Sequence, residues 1–180
     1  MKKLKYPENR AEIEEILAGR TFDSRKQEYE AAFDIVSAVK NEGDGAVYRY
    51  TERFDGVKLA ELKVTEAEFA EAYERVDDDF LVSLRAACEN IWDFHHRQLR
   101  DNWFSSEGDK MVGQLFNPLA RVGVYIPGGR APYPSSVLMT VLPAAVASVD
   151  EIVGTTPPGE DGKVNPHILV AAAEAGVDEL

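Results

Sequence analysis

Apolar residues in the first 110 positions recur three and four apart, whereas beyond position 110 they gather into short β-branched runs. The first pattern predicts amphipathic helices and the second buried strands. Ile13, Ile16 and Leu17 form a short helical stripe stopped by Gly19. A second helix is expected from about Ser24, with Tyr29, Phe33, Val36 and Val39 on one face and Gly43 as its end. A shorter one from Asp44 carries Val47 and Tyr50 and turns at Asp55-Gly56. Leu62-Lys63-Val64 suggests a strand, and Thr65 with Glu68 three residues later is a capping-box signature for a helix bearing Phe69 and Tyr73. The longest helix is expected from Asp78 to Arg100, with Phe80, Leu84, Ala87, Cys88, Ile91, Phe94 and Leu99 as its apolar stripe.

Beyond it, Met111–Phe116 and Arg121–Ile126 read as strands, the second running straight into Pro127-Gly128-Gly129. Ser135 and Ser136 are candidate caps for a helix through Ala147, with a kink expected at Pro143. Glu151–Gly154 reads as a buried strand stopped by Pro157-Pro158-Gly159. Asn165 caps a further helix with Pro166 in its first position and Gly176 as its stop, and Val177–Leu180 starts a third strand. Strand, helix, strand, helix in this order implies parallel strands joined by right-handed crossovers. A sheet that ends on the first residues of a strand suggests a chain cut at Leu180.

Charge sharpens this division. Residues 1–110 hold 42 charged side chains and residues 111–180 only 10. A mostly helical region over 1–118 and the start of an α/β domain over 119–180 are expected. The net charge of −12 disfavours nucleic acid, whose phosphates an acidic chain repels. No signal peptide and no apolar run of about 20 residues is visible, so no membrane partner and a cytoplasmic location are expected. Cys88, the lone cysteine, has no disulfide partner and sits on a core stripe without an activating neighbour.

The strand ending at Tyr125 delivers Gly128 and Gly129 to the carboxyl end of the sheet, just before a helix. Ligands of open α/β sheets bind there, where glycine admits them to the backbone. The bland reading of the same glycines is a turn requiring positive φ. Gly128-Gly129-Arg130-Ala131-Pro132-Tyr133 is not a dinucleotide fingerprint, because the third glycine is missing. His95 and His96 are helix neighbours pointing about 100° apart, which prevents them from sharing a metal. Glu89, Asp93 and His96 align along one helix face, a spacing that a solvated surface explains better than a metal site. His167 reads as a surface residue in the first turn of its helix, and Asp77-Asp78-Asp79 as a helix cap.

The run Val122-Gly123-Val124-Tyr125-Ile126-Pro127-Gly128-Gly129-Arg130-Ala131-Pro132-Tyr133-Pro134-Ser135-Ser136-Val137-Leu138-Met139 resembles the histidinol dehydrogenase family. Asn41–Ala46, Tyr50–Gly56, Asn90–His95 with Gln98, Pro143-Ala144 and Thr156-Pro157-Pro158 extend the likeness over roughly residues 24–180. The resemblance implies a partial, Rossmann-like parallel β-α-β-α unit in a homodimeric enzyme. It implies zinc and NAD as cofactors and L-histidinol as substrate, oxidised twice to L-histidine. It places Tyr125 against NAD. The family's zinc ligands, catalytic glutamate–histidine pair and other substrate contacts fall beyond residue 180. This chain is therefore expected to be inactive alone, with no zinc site and no catalytic residue of its own. Two other readings stay open: a related dehydrogenase of another small polar alcohol, and a non-catalytic α/β ligand-binding module.

Overall fold

The computed structural model describes residues 2–18, 25–128 and 132–180. The chain falls into two compact units, residues 1–50 and 51–180, with the division inside a helix. The first unit holds α1 (Arg10–Ala18), α2 (Lys26–Glu42) and the start of α3 (Asp44–Asp55). Gly43 separates the last two with a positive φ of 62°, which glycine adopts without strain. The expected stops at Gly19 and start at Ser24 lie outside the described residues. Tyr29, Phe33 and Val36, predicted on one face of α2, are all exposed.

In the second unit α4 (Glu66–Glu74) and α5 (Asp78–His96) begin as their sequences dictate. Thr65 and Glu68 form the reciprocal capping box, and Asp77 accepts a hydrogen bond from Phe80 N at 2.6 Å. α5 ends at His96, short of the expected Arg100. Its stripe is packed from Phe80 to Ile91, while Phe94 and Leu99 stay exposed.

Two small sheets follow. β1 (Trp103–Glu107) and β2 (Lys110–Gln114) form an antiparallel hairpin around Gly108-Asp109, and every residue of both strands is exposed. Only the second strand was expected, and over a longer span. β3 (Arg121–Tyr125) and β4 (Glu151–Thr155) pair in parallel, with α6 (Pro134–Val146) between them in sequence and α7 (Pro166–Ala175) after them. The segment after α7 continues the sheet on the far side of β4. Gly154 N donates to Glu179 O at 2.7 Å, and Val153 bridges Glu179 in parallel.

Two local expectations need correction. Leu62-Lys63-Val64 is irregular rather than a strand; it is tied to the sheet edge by Val64 N to Leu180 O at 2.8 Å and by Lys63 Nζ to Glu179 Oε1 at 2.6 Å. Ser135 and Ser136 lie inside α6 and do not cap it. Pro134 occupies the first turn, where its fixed φ suits a helix start, and Tyr133 is the cap residue without a side-chain bond. Pro143 falls within α6 and does not end it.

The core lies on one face of the parallel sheet. α6 packs against both strands, α7 against α6, and α4 and α5 close over α7 and α6. Ile126, Val137, Val141, Ile168 and Val170 are its fully buried large residues. Residues 168–172 of α7 are all buried, which suits a helix enclosed on several sides. An Arg85–Glu174–Tyr73 clamp ties the outer helices to α7. Glu174 accepts from Arg85 Nε at 2.7 Å, from Arg85 Nη2 at 2.8 Å and from Tyr73 Oη at 2.9 Å. Arg85 holds the Glu174 carboxyl below its ordinary value, and burial with the Glu174 bond pushes the Tyr73 phenol up to about 12.

Candidate functional site at the carboxyl end of the parallel strands

Period-two alternation gives the parallel sheet two unlike faces. Val122, Val124, Ile126 and Ile152 turn to the helices and are buried or half-buried. Arg121, Gly123 and Tyr125 point the other way and are exposed, as is Thr155 on β4, with Val153 half-buried between. Parallel sheets are ordinarily covered on both faces. Here the second face is open among the described residues.

Tyr125 stands at the carboxyl end of β3 and is 65% exposed. Its register partner is Thr155, and Ile126 N donates to Thr155 O at 2.8 Å just beyond. The side chains of Tyr125 and Thr155 therefore stand side by side on the open face, at the end of the sheet where α/β ligands bind.

Gly128 lies on the next turn, and its φ is not positive. The turn reading is corrected for this residue: what requires glycine is space. A β-carbon there would stand 2.8 Å from Thr156 Oγ1 and 3.1 Å from Pro157 O, so its absence lets the loops after β3 and β4 close on each other. Gly129 lies outside the described residues. Gly128 borders a cleft of about 170 Å³ lined also by Arg75, Thr156, Asp161, Lys163 and Asn165. Its cations are matched by acids: Arg75 and Lys163 both face Glu71, at 3.8 and 3.4 Å, and Asp161 is the carboxylate of the lining.

Gly123 is a different case, and sequence reasoning passed over it. Its φ is ordinary and a β-carbon there would meet nothing within 4 Å. Glycine inside a strand costs roughly 0.5–1 kcal/mol relative to alanine and often marks the close approach of a ligand or another backbone. By contrast, a β-carbon at Gly154 of β4 would stand 2.5 Å from Leu180 Cδ1, so the local packing explains that glycine.

The histidines are spread apart. His95 is half-buried and shares a hydrogen between Nδ1 and Gln98 Oε1 at 2.7 Å, the packing role its position suggests. His167 is half-buried with its ring edge-on to Phe80, centroids 4.6 Å apart, rather than a surface residue. Asp93 pairs with Arg97 at 2.8 Å. Among the described residues no three His, Cys, Asp or Glu groups stand close enough to hold a metal ion. Burial and the nearby Glu174 charge push the Cys88 thiol up, which disfavours the reactive thiolate. No helix among the described residues is long and apolar enough to cross a membrane.

Comparison with known proteins assigns this arrangement a class. The solved structure of histidinol dehydrogenase from Elizabethkingia anophelis superposes with a TM-score of 0.78 at 33% identity, over 83% of this chain and 35% of that one. The profile of the histidinol dehydrogenase family matches residues 19–180. The chain belongs to the histidinol dehydrogenase family. It is 49% identical over 167 residues to the histidinol dehydrogenase of Heliobacterium mobile, covering 91% of this chain and 39% of the relative. It is 48% identical over 174 residues to that of Geobacillus kaustophilus, covering 93% and 41%. The chain thus spans about two fifths of the length of these curated relatives.

Proposed function

We propose that this chain forms part of an NAD- and zinc-dependent histidinol dehydrogenase, an oxidoreductase of histidine biosynthesis that converts L-histidinol to L-histidine in two oxidations. The observation that carries the cofactor assignment is Tyr125, an exposed aromatic side chain at the carboxyl end of a parallel strand, in the run by which the chain resembles its family. The residues present fit a dinucleotide. Tyr125 offers a ring face, Thr155 a neighbouring hydroxyl, and Gly128 holds the two loops together beneath them. NAD, when bound, supplies the hydride acceptor. Tyr125 orients it through ring contact, and the tight Gly128–Thr156 approach keeps that end of the sheet in one shape. Gly129, adjacent in sequence, completes the cofactor-binding assignment.

The described residues do not bring together a donor set for zinc, so none of them is given to it and no step is derived through it. The working enzyme is read as a cytoplasmic homodimer, with zinc ligands and acid–base groups outside residues 1–180.

Expressing the complete reading frame that contains this chain and assaying NADH formation from L-histidinol tests the proposal. Turnover of other small alcohols in preference to histidinol would instead favour the related-dehydrogenase reading. Tyr125→Ala in that protein should raise KM for NAD more than KM for histidinol; small, equal changes would remove the Tyr125 assignment. The 180-residue chain by itself should form no NADH and carry no stoichiometric zinc by metal analysis.

A further inference from the structure

An aspartate followed by glycine is the pair in which a backbone nitrogen most readily reaches its neighbour's carboxyl, because glycine has no side chain in the way. The sequence holds three such pairs: Asp44-Gly45, Asp55-Gly56 and Asp161-Gly162. The fold treats them differently. Asp44 and Gly45 lie in the first turn of α3, next to the buried Ala46, and the helix fixes the rotation about each Cα–C bond. Asp161 accepts a hydrogen bond from Lys163 N at 3.1 Å and Gly162 N donates to Gly159 O at 2.9 Å, so carboxylate and nitrogen are both engaged. Asp55 is the last residue of α3, where helix carbonyls have no partner within the helix. Asp55 and Gly56 are both exposed. Among the described residues the Asp55 carboxylate has no hydrogen bond or ion pair, and the peptide joining it to Gly56 has none at its N–H or its carbonyl. A β-carbon at Gly56 would meet nothing within 4 Å, so the surroundings leave room for the chain to turn.

We infer that Asp55-Gly56 is a site of spontaneous backbone isomerisation through a cyclic imide, and that the fold protects the other two pairs. Gly56 N attacks Asp55 Cγ. The N–Cγ bond forms, the bond from Cγ to the carboxyl hydroxyl breaks, and that hydroxyl leaves as water with the amide proton. Water then opens the five-membered ring. Attack at Cγ restores aspartate, whereas attack at the main-chain carbonyl carbon leaves the backbone running through Cβ and Cγ as isoaspartate. No electrons change hands and the mass is unchanged. The main chain gains one methylene between α3 and the segment that Lys63 and Val64 tie to the sheet edge. Ring closure needs Cγ and Gly56 N on the same side of the Cα–C bond, a rotation outside the helical and extended regions. A fraying helix end reaches it more cheaply than a helix interior or a turn bonded at both groups.

Prolonged incubation of the folded chain in warm neutral buffer tests this. Tryptic mapping with electron-transfer fragmentation then reads each pair in its own peptide: Asn41–Arg49, Phe54–Lys58 and Ala131–Lys163. Isoaspartate should accumulate in Phe54–Lys58 about tenfold faster than in the other two, the ratio that a barrier lower by ~1.4 kcal/mol produces. In urea strong enough to unfold the chain, all three pairs should convert at similar rates, because each is the same dipeptide. Asp55→Glu keeps the charge but would need a six-membered ring, and should leave Phe54–Lys58 free of the product. Equal accumulation at all three pairs in the folded chain would overturn the inference, since the fold would then protect none of them. Conversion at Asp55 far slower in the folded chain than in urea would overturn it too, since the end of α3 would then be held as firmly as its interior. A gap between sites that persists in urea would assign the difference to neighbours in sequence and refute the structural argument.

Discussion

The described residues build two sheets of the same size, each of two five-residue strands in full register, and they differ in nearly everything else. The antiparallel hairpin β1–β2 keeps Trp103, Phe104, Met111 and Val112 more than half exposed. The parallel pair β3–β4 buries Val124 and Ile152 against helices and leads straight into the fully buried Ile126. Antiparallel pairing is the slightly stronger ladder per residue, yet an isolated two-stranded hairpin is marginal in water. Backbone pairing alone therefore does not decide which sheet anchors the fold. Burial on one face does.

The sharpest way to break this comparison is to remove the burial. Ile126→Ala should cost about 3 kcal/mol, since it empties a fully buried site beside β3. Urea denaturation reads this directly, and a loss below about 1 kcal/mol would mean that packing is not the anchor.

The clamp behind the sheet comes next. Glu174→Ala should cost about 2 kcal/mol, because its 15%-exposed carboxylate holds charge-assisted bonds from Arg85. Its carboxyl titrates below the ordinary 4.5, so its contribution is present above that pH and is lost as pH falls through the depressed value. The wild-type advantage over the variant should shrink on acidification, and a gap unchanged between neutral pH and pH well below 4.5 would contradict the clamp.

Gly113→Val should break only the hairpin, because a β-carbon there stands 2.5 Å from both Phe104 Cδ1 and Trp103 O. Cross-strand NMR contacts between β1 and β2 should vanish while the global denaturation free energy moves by less than about 0.5 kcal/mol. Smallest of all, Val112→Ala should be nearly silent, within about 0.5 kcal/mol, since that side chain is 62% exposed. A larger global loss from either hairpin variant would show that β1–β2 carries stability its exposure does not reveal.

The difference between the two sheets also marks what could be read from the sequence. β3, α6, β4 and α7 were legible because β-branched runs and Gly/Pro punctuation are local signals. The same holds for the caps at Thr65, Asp77 and Asn165, each satisfied within three residues. β1 escaped because Ser105-Ser106-Glu107 carries no apolar alternation. Its one signal was Gly108-Asp109, with φ of 59° at the glycine, a two-residue turn that fits a hairpin. The place of Tyr125 at the end of β3 was visible from the Pro-Gly turn that follows it. The steric need for Gly128 was not, because it depends on Thr156 and Pro157 across the fold. The open face was implicit in the alternation of Val122 and Val124 with Gly123 and Tyr125, and the glycine was the neglected clue. The Tyr73–Arg85–Glu174 clamp left no sequence trace, since its partners are 89 and 101 positions apart.

Those separations have a consequence for synthesis on the ribosome. α4 and α5 emerge with their apolar faces made for α6 and α7, and Glu174, which fastens them, follows Arg85 by 89 residues. At cellular rates of elongation that interval is on the order of ten seconds. Until first α6 (Pro134–Val146) and then α7 have been made, Phe80, Leu84 and Ile91 lack the helices of their core cluster. The nascent chain therefore presents a helical apolar stripe for a period long compared with helix formation, and the closing step pays the entropy of a long loop at once. Holding factors that recognise amphipathic helices should engage this chain before α7 is made and release it afterwards.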